Sequence, residues 1–144
     1  ARAMVAFLDA QASVDTSRRI GTTGYCMGGP MVMRTVAAVP ERLGAGGTFH
    51  GGGLATEADN SPHLLIPETQ SAMLHCVAAN DDEADPVAKD TLSSAYAAAG
   101  LSAEIEVYTG TLHGWCPPDS QVYDETQAER AWSRLLALFE IALA

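Results

Sequence analysis

The stretch Arg18–Val39, RRIGTTGYCMGGPMVMRTVAAV, decides how this chain folds. Its first part, Arg18–Tyr25, reads as a short strand running into a glycine turn. Its second part, Met27–Val39, repeats Met31, Val32, Thr35, Val36 and Val39 on one helical stripe until Pro40 ends it. Working outward, ARAMVAFLDAQA at residues 1–12 sets Met4, Val5, Phe7, Leu8 and Ala12 on one side of a helix. Downstream, a second strand fits Leu43–His50, a third Ser71–Ala78 as a run buried on both faces, and a fourth Ala103–Thr109. The polar stretch TEADNSPHLLIPETQ, marked by Pro62 and Pro67, reads as a loop, and so does the acidic cluster NDDEAD. Pro86 opens a helix that Gly100 closes, and a last helix from about Tyr123 to Ala144 carries Ala128, Trp132, Leu135, Leu136 and Phe139 on one face. Strands alternating with helices predict an α/β fold: a mostly parallel sheet with helices on both faces, three layers α/β/α, in a single domain over residues 1–144. In such sheets the ligand lies at the carboxyl ends of the strands.

With 8 Lys+Arg against 18 Asp+Glu, the formal net charge is −10. That field repels a nucleic-acid backbone and an anionic membrane surface alike. No run approaches the roughly 18 apolar residues of a membrane span, and the basic-then-apolar order of a signal peptide is missing, so the expected location is cytoplasmic. The chain begins inside an element, without an initiator methionine, which implies further sequence upstream. Cys26, Cys76 and Cys116 are an odd number without CxxC spacing, against both a disulfide framework and a structural zinc site.

Three reactive groups fall at the carboxyl ends of three predicted strands: Cys26, one of Asp81 and Asp82, and His113. Gly24-Tyr25-Cys26-Met27-Gly28 is the cysteine form of the G-x-S-x-G nucleophile elbow, whose turn is so tight that side chains two positions either side of the nucleophile are expected to collide. A thiol there sits at a helix N-terminus, which favours thiolate and offers the Met27 N–H to a developing oxyanion. His113 follows the fourth strand in the chain order nucleophile, acid, base, and a carboxylate must orient it. The bland alternatives are a small buried cysteine in a glycine turn, a structural histidine and an acidic helix cap. His75 and Cys76 are adjacent on a strand and point to opposite faces, so they are not paired ligands. His63 reads as a solvated loop residue. His50-Gly51-Gly52-Gly53 resembles the HGGG oxyanion loop of lipases but follows the elbow in the chain, and reads as a flexible crossing over the site.

The elbow GYCMGG, the Asn80-Asp81 step after a strand, and VYTGTLHGWCPPDSQVYDETQAERAW from Val107 onward together resemble the dienelactone hydrolase family of α/β-hydrolases. The resemblance runs from Val14 to the C-terminus and implies the C-terminal part of such a hydrolase, a partial fold lacking the N-terminal strands. It implies Cys26 as nucleophile, His113 as base and Asp81 as acid, with Asp82 an alternative because the run to Pro86 is one residue longer than the family's usual spacing. Four residues after the histidine, where dienelactone hydrolases proper hold a substrate carboxylate with an arginine, this chain has Pro117, which favours another ester or lactone. The implied chemistry is hydrolysis of a small-molecule ester or lactone through a thioester, with neither metal nor organic cofactor. Two readings of other classes stand beside it: a catalytically silent fragment or regulatory module that keeps the sheet and the thiol, and a redox-sensing thiol at Cys26. The missing upstream strands also imply self-association through the sheet edge they leave exposed.

Overall fold

The computed structural model describes residues 1–144. Four strands, β1 (Ile20–Tyr25), β2 (Leu43–Phe49), β3 (Ala72–Ala78) and β4 (Ala103–Tyr108), lie side by side in chain order and pair in parallel throughout. The α-helices are α1 (Arg2–Asp9), α2 (Gly28–Ala38), α3 (Ala79–Ala84), α4 (Ala88–Ala99) and α5 (Glu125–Ala142). Three crossovers join the four parallel strands, so all four carboxyl ends emerge at one edge.

The sheet separates two cores. On one side Val5 of α1, Val32, Met33 and Val36 of α2, and Leu92 and Tyr96 of α4 pack over Leu43 and Met73. On the other, Leu135 and Ala131 of α5 close over Phe49, Leu74, Cys76 and Tyr108, with Trp115 among them. The predicted three layers are therefore present. Glycines in β2 let the layers close in, because a Cβ at Gly46 would stand 2.9 Å from Val32 Cγ1 and one at Gly47 2.6 Å from Leu135 Cδ1.

That close approach also selects the buried face of α5. Leu135 and Ala131 are buried and Phe139 is half-buried against Gly21, whereas Trp132 and Leu136, expected on the same face, are exposed. A helical stripe admits two neighbouring rows, and the missing side chains at Gly21 and Gly47 choose between them. In α1 only Val5 is buried; Met4, Phe7 and Leu8 are exposed. The helix ends at Asp9, before Ala12 can join its stripe, and the Arg42 guanidinium grips the Asp9 carboxylate at 2.7 and 3.0 Å.

Two stretches read as loops are helical. Pro62–Glu68 forms a 3₁₀ helix that buries Pro62 and Ile66 beside α2 and α4. The acidic cluster folds as α3, with Asp81 and Asp82 in its first turn, where carboxylates suit the helix dipole. The helix opened by Pro86 starts at Ala88 and ends at Gly100, whose φ of +67° is the left-handed stop the sequence implied.

Candidate active site

Cys26 follows β1 directly and holds a φ of +51°, a left-handed conformation that costs a non-glycine residue energy and projects its thiol outward from the turn. Its N–H donates to the Phe49 carbonyl at 3.1 Å, and its own carbonyl accepts the Gly29 N–H at 3.0 Å. The turn is tight on one flank only. A Cβ at Gly24 would lie 2.3 Å from the Gly28 carbonyl oxygen, but one at Gly28 would meet open space, contrary to the expectation that both positions collide. The second crowded glycine is Gly29, where a Cβ would stand 2.9 Å from Gly51 Cα, because the glycine-rich crossing after β2 packs onto the start of α2.

The three strand-end groups expected to converge do so. His113 Nε2 lies 3.1 Å from Cys26 Sγ and its Nδ1 2.7 Å from Asp81 Oδ2. Asp82 turns away and binds Lys89 Nζ at 2.7 Å. Consecutive residues on a helix point about 100° apart, so folding of the acidic cluster as α3 assigns the two aspartates different partners. The His113 N–H donates to Asn80 Oδ1 at 2.8 Å, and Thr111 Oγ1 accepts the Ala79 N–H at 3.2 Å while donating to the Tyr108 carbonyl at 2.7 Å. Asn80 and Thr111 thus join the ends of β3 and β4, a role their spacing in the chain did not reveal.

The electrostatics follow from these contacts. The hydrogen bond from His113 holds the Cys26 thiol below its ordinary pKa, and the Met27 N–H adds to this. The same bond to Cys26, supported by Asp81, raises the His113 imidazole above its usual value. Met27 is 71% exposed, and its amide lies beside the sulfur. By contrast, burial pushes both Cys76 and Cys116 up to about 12.

His50 is not the flexible crossing residue expected. It is 2% exposed, holds a φ of +40°, donates its N–H to the Cys76 carbonyl at 2.8 Å, and sets its ring 5.0 Å from that of His113. His63, expected to be solvated, bonds Ser61 Oγ at 2.7 Å through Nδ1. His75 and Cys76 do face opposite sides, His75 toward Thr48 and Tyr96 and Cys76 toward Tyr108. No group of three His, Cys, Asp or Glu side chains is arranged to hold a metal ion, and no helix is long and apolar enough to cross a membrane.

A parallel sheet with helices on both faces and a strand–elbow–helix step at its carboxyl edge is the arrangement of the α/β-hydrolases. The chain belongs to the dienelactone hydrolase family, whose model matches residues 1–143. It is similar to Protein usf of Aquifex pyrophilus, at 26% identity over 85% of this chain and 51% of that protein. A protein of Aquifex aeolicus (strain VF5), provisionally named a carboxymethylenebutenolidase, is also 26% identical, over 88% of this chain and 52% of its own length. Among solved structures, a protein of Klebsiella pneumoniae subsp. pneumoniae MGH 78578, provisionally named a dienelactone hydrolase, superposes with a TM-score of 0.83 at 27% identity, covering 97% of this chain and 59% of that one. The chain thus spans about half the length of the curated relatives it matches.

Proposed function

We propose that this chain carries the reacting groups of an ester or lactone hydrolase, with Cys26 as nucleophile, His113 as general base and acid, and Asp81 as the carboxylate that orients the imidazole. The observation that carries this reading is the unbroken line from Asp81 Oδ2 through the two nitrogens of His113 to Cys26 Sγ, with contacts of 2.7 and 3.1 Å. Such a line is what activates a nucleophile through an oriented base. The Cys26 thiolate attacks the carbonyl carbon, forming a C–S bond while the carbonyl π pair moves onto oxygen. The Met27 N–H donates to that oxyanion. Collapse breaks the bond to the alcohol oxygen, which takes its proton from the His113 imidazolium, leaving a thioester on Cys26. His113, now neutral, removes a proton from water; the hydroxide adds to the thioester, the C–S bond breaks and the acid departs with the thiolate restored. Asp81 keeps the proton on Nδ1 throughout, so that Nε2 faces the sulfur. The family and the ester-cleaving names of its relatives support this class of substrate, and Pro117 points to an ester or lactone without the carboxylate of a dienelactone.

The test is to incubate the protein with p-nitrophenyl acetate and follow both nitrophenol release and the intact mass. An acetyl group on the peptide containing Cys26 is expected. Cys26→Ala should abolish the adduct and lower turnover on the order of 10³-fold or more. Equal turnover by Cys26→Ala, with the adduct elsewhere, would overturn the assignment.

A further inference from the structure

We infer that His50 is a positioning residue that fixes the plane of the His113 ring by ring-to-ring contact; this deepens the reading of Cys26 and His113 given above and rests on it. Two hydrogen bonds, one at each nitrogen, fix the axis on which His113 lies but leave the ring able to rock about that axis. A third contact is needed, and on the buried side it comes from His50, whose ring centre is 5.0 Å away with the planes inclined at 66°. That is the separation and tilt of an edge-to-face aromatic pair.

His50 is itself held rigidly. Its backbone holds a φ of +40° between β2 and Gly51, which packs against Gly29, and its N–H donates to the Cys76 carbonyl. The rings of Tyr25 and Trp115 flank it at 5.9 and 6.4 Å. Both ring nitrogens are buried without a hydrogen-bond partner in the protein. No protein hydrogen bond at those nitrogens holds the ring, and what it meets on the side of the site is the ring of His113. The titratable groups facing the pair are Cys26 and Tyr25 at the end of β1 and Asp81 in α3.

The experiment measures the rate of iodoacetamide reaction at Cys26 across pH by peptide mass spectrometry, alongside thermal melting, for the protein and three variants. Asn tolerates positive φ, so His50→Asn removes the ring without adding backbone strain; the midpoint of the Cys26 profile should rise by about one pH unit, so that alkylation at any pH below the native midpoint slows about tenfold. His50→Phe keeps a flat ring and removes the two unpaired nitrogens. It should return the midpoint to within about 0.3 pH unit of the native value, while the backbone strain of a bulky residue at φ +40° is read separately from its melting. A folded His50→Asn with the native midpoint would overturn the inference, as would a His50→Phe variant displaced as far as His50→Asn. The third variant, His113→Ala, separates the levels: if it leaves the Cys26 midpoint at its native value, the pairing of Cys26 with His113 fails, whatever the His50 variants do.

Discussion

His75, in the middle of β3, and His113, just beyond the end of β4, are both held at both ring nitrogens, yet they are opposite in chemical character. The partners of His75 are the hydroxyls of Thr48, at 2.8 Å, and Tyr96, at 2.9 Å, in a fully buried pocket. Neutral partners cannot compensate an imidazolium there, and burial pushes His75 down to about 4. The partners of His113 are a thiol and a carboxylate at the open edge of the sheet, and they raise it. Saturating an imidazole with hydrogen bonds therefore does not by itself set its affinity for a proton. The ionisability of the partners and the access of water decide whether that affinity rises or falls.

The most severe way to break this contrast is to remove the ionisable partner. Asp81→Asn should lower acylation of Cys26 on the order of 10²-fold or more, whereas Asp82→Asn, which loosens only the half-exposed pair with Lys89, should change stability by less than about 1 kcal/mol. Stopped-flow acylation and thermal melting read the two effects, and equal losses of acylation would erase the distinction between the aspartates. Next in size is the pH dependence of stability, in which the two histidines act with opposite sign. His75 falls from 6.5 unfolded to about 4 folded. Its contribution is fully present above the unfolded value and is lost as pH falls toward the folded one, about 3 kcal/mol in all. His113 is raised, so its contribution is present below 6.5 and lost as pH rises through its folded value. Denaturant unfolding across pH, with His75→Leu and His113→Ala as controls, should show the acid limb shrink in the first and the alkaline limb shrink in the second. His75→Leu also strands two buried hydroxyls and should cost about 3 kcal/mol, leaving the Cys26 alkylation profile unmoved. The smallest effect sharpens the picture of the edge itself. Gly28→Ala should fold within about 0.5 kcal/mol of the native protein, since a Cβ there meets nothing, while Gly24→Ala should lose several times that.

Much of the edge was legible in the chain because its signals are local. The strand, the glycine turn and the helix of GYCMGG are contiguous, and the order Cys26, Asp81, His113 needs only the rule that strand ends gather. What depended on contacts across the chain was not legible. The bland role of Gly28 and the crowded one of Gly29 follow from a glycine-rich crossing that comes more than twenty residues later. Choosing between Asp81 and Asp82 required knowing that NDDEAD is a turn of helix, a state its polar composition conceals. Periodicity located α5 but not its buried row, which is chosen by the glycines of β1 and β2. The local signature of His50, its HGGG run, pointed to an oxyanion loop or a flexible crossing, because what matters about it is the ring it meets from the far end of the chain.

The bond from the Cys26 amide to the Phe49 carbonyl has a consequence on another timescale. The sulfur is exposed, but the peptide unit that bears it extends the hydrogen-bonded ladder of the sheet by one bond past the end of β1. A hydrogen-bonded amide exchanges with deuterium only when its bond opens, and an amide exposed to water without one exchanges faster. Residue 26 should therefore combine the fastest side-chain alkylation in the molecule with a slowly exchanging backbone, and the neighbouring amide of Met27 should exchange rapidly. A thiol mounted in this way has a tethered backbone and an open side chain, so on the function proposed above the substrate has to come to it.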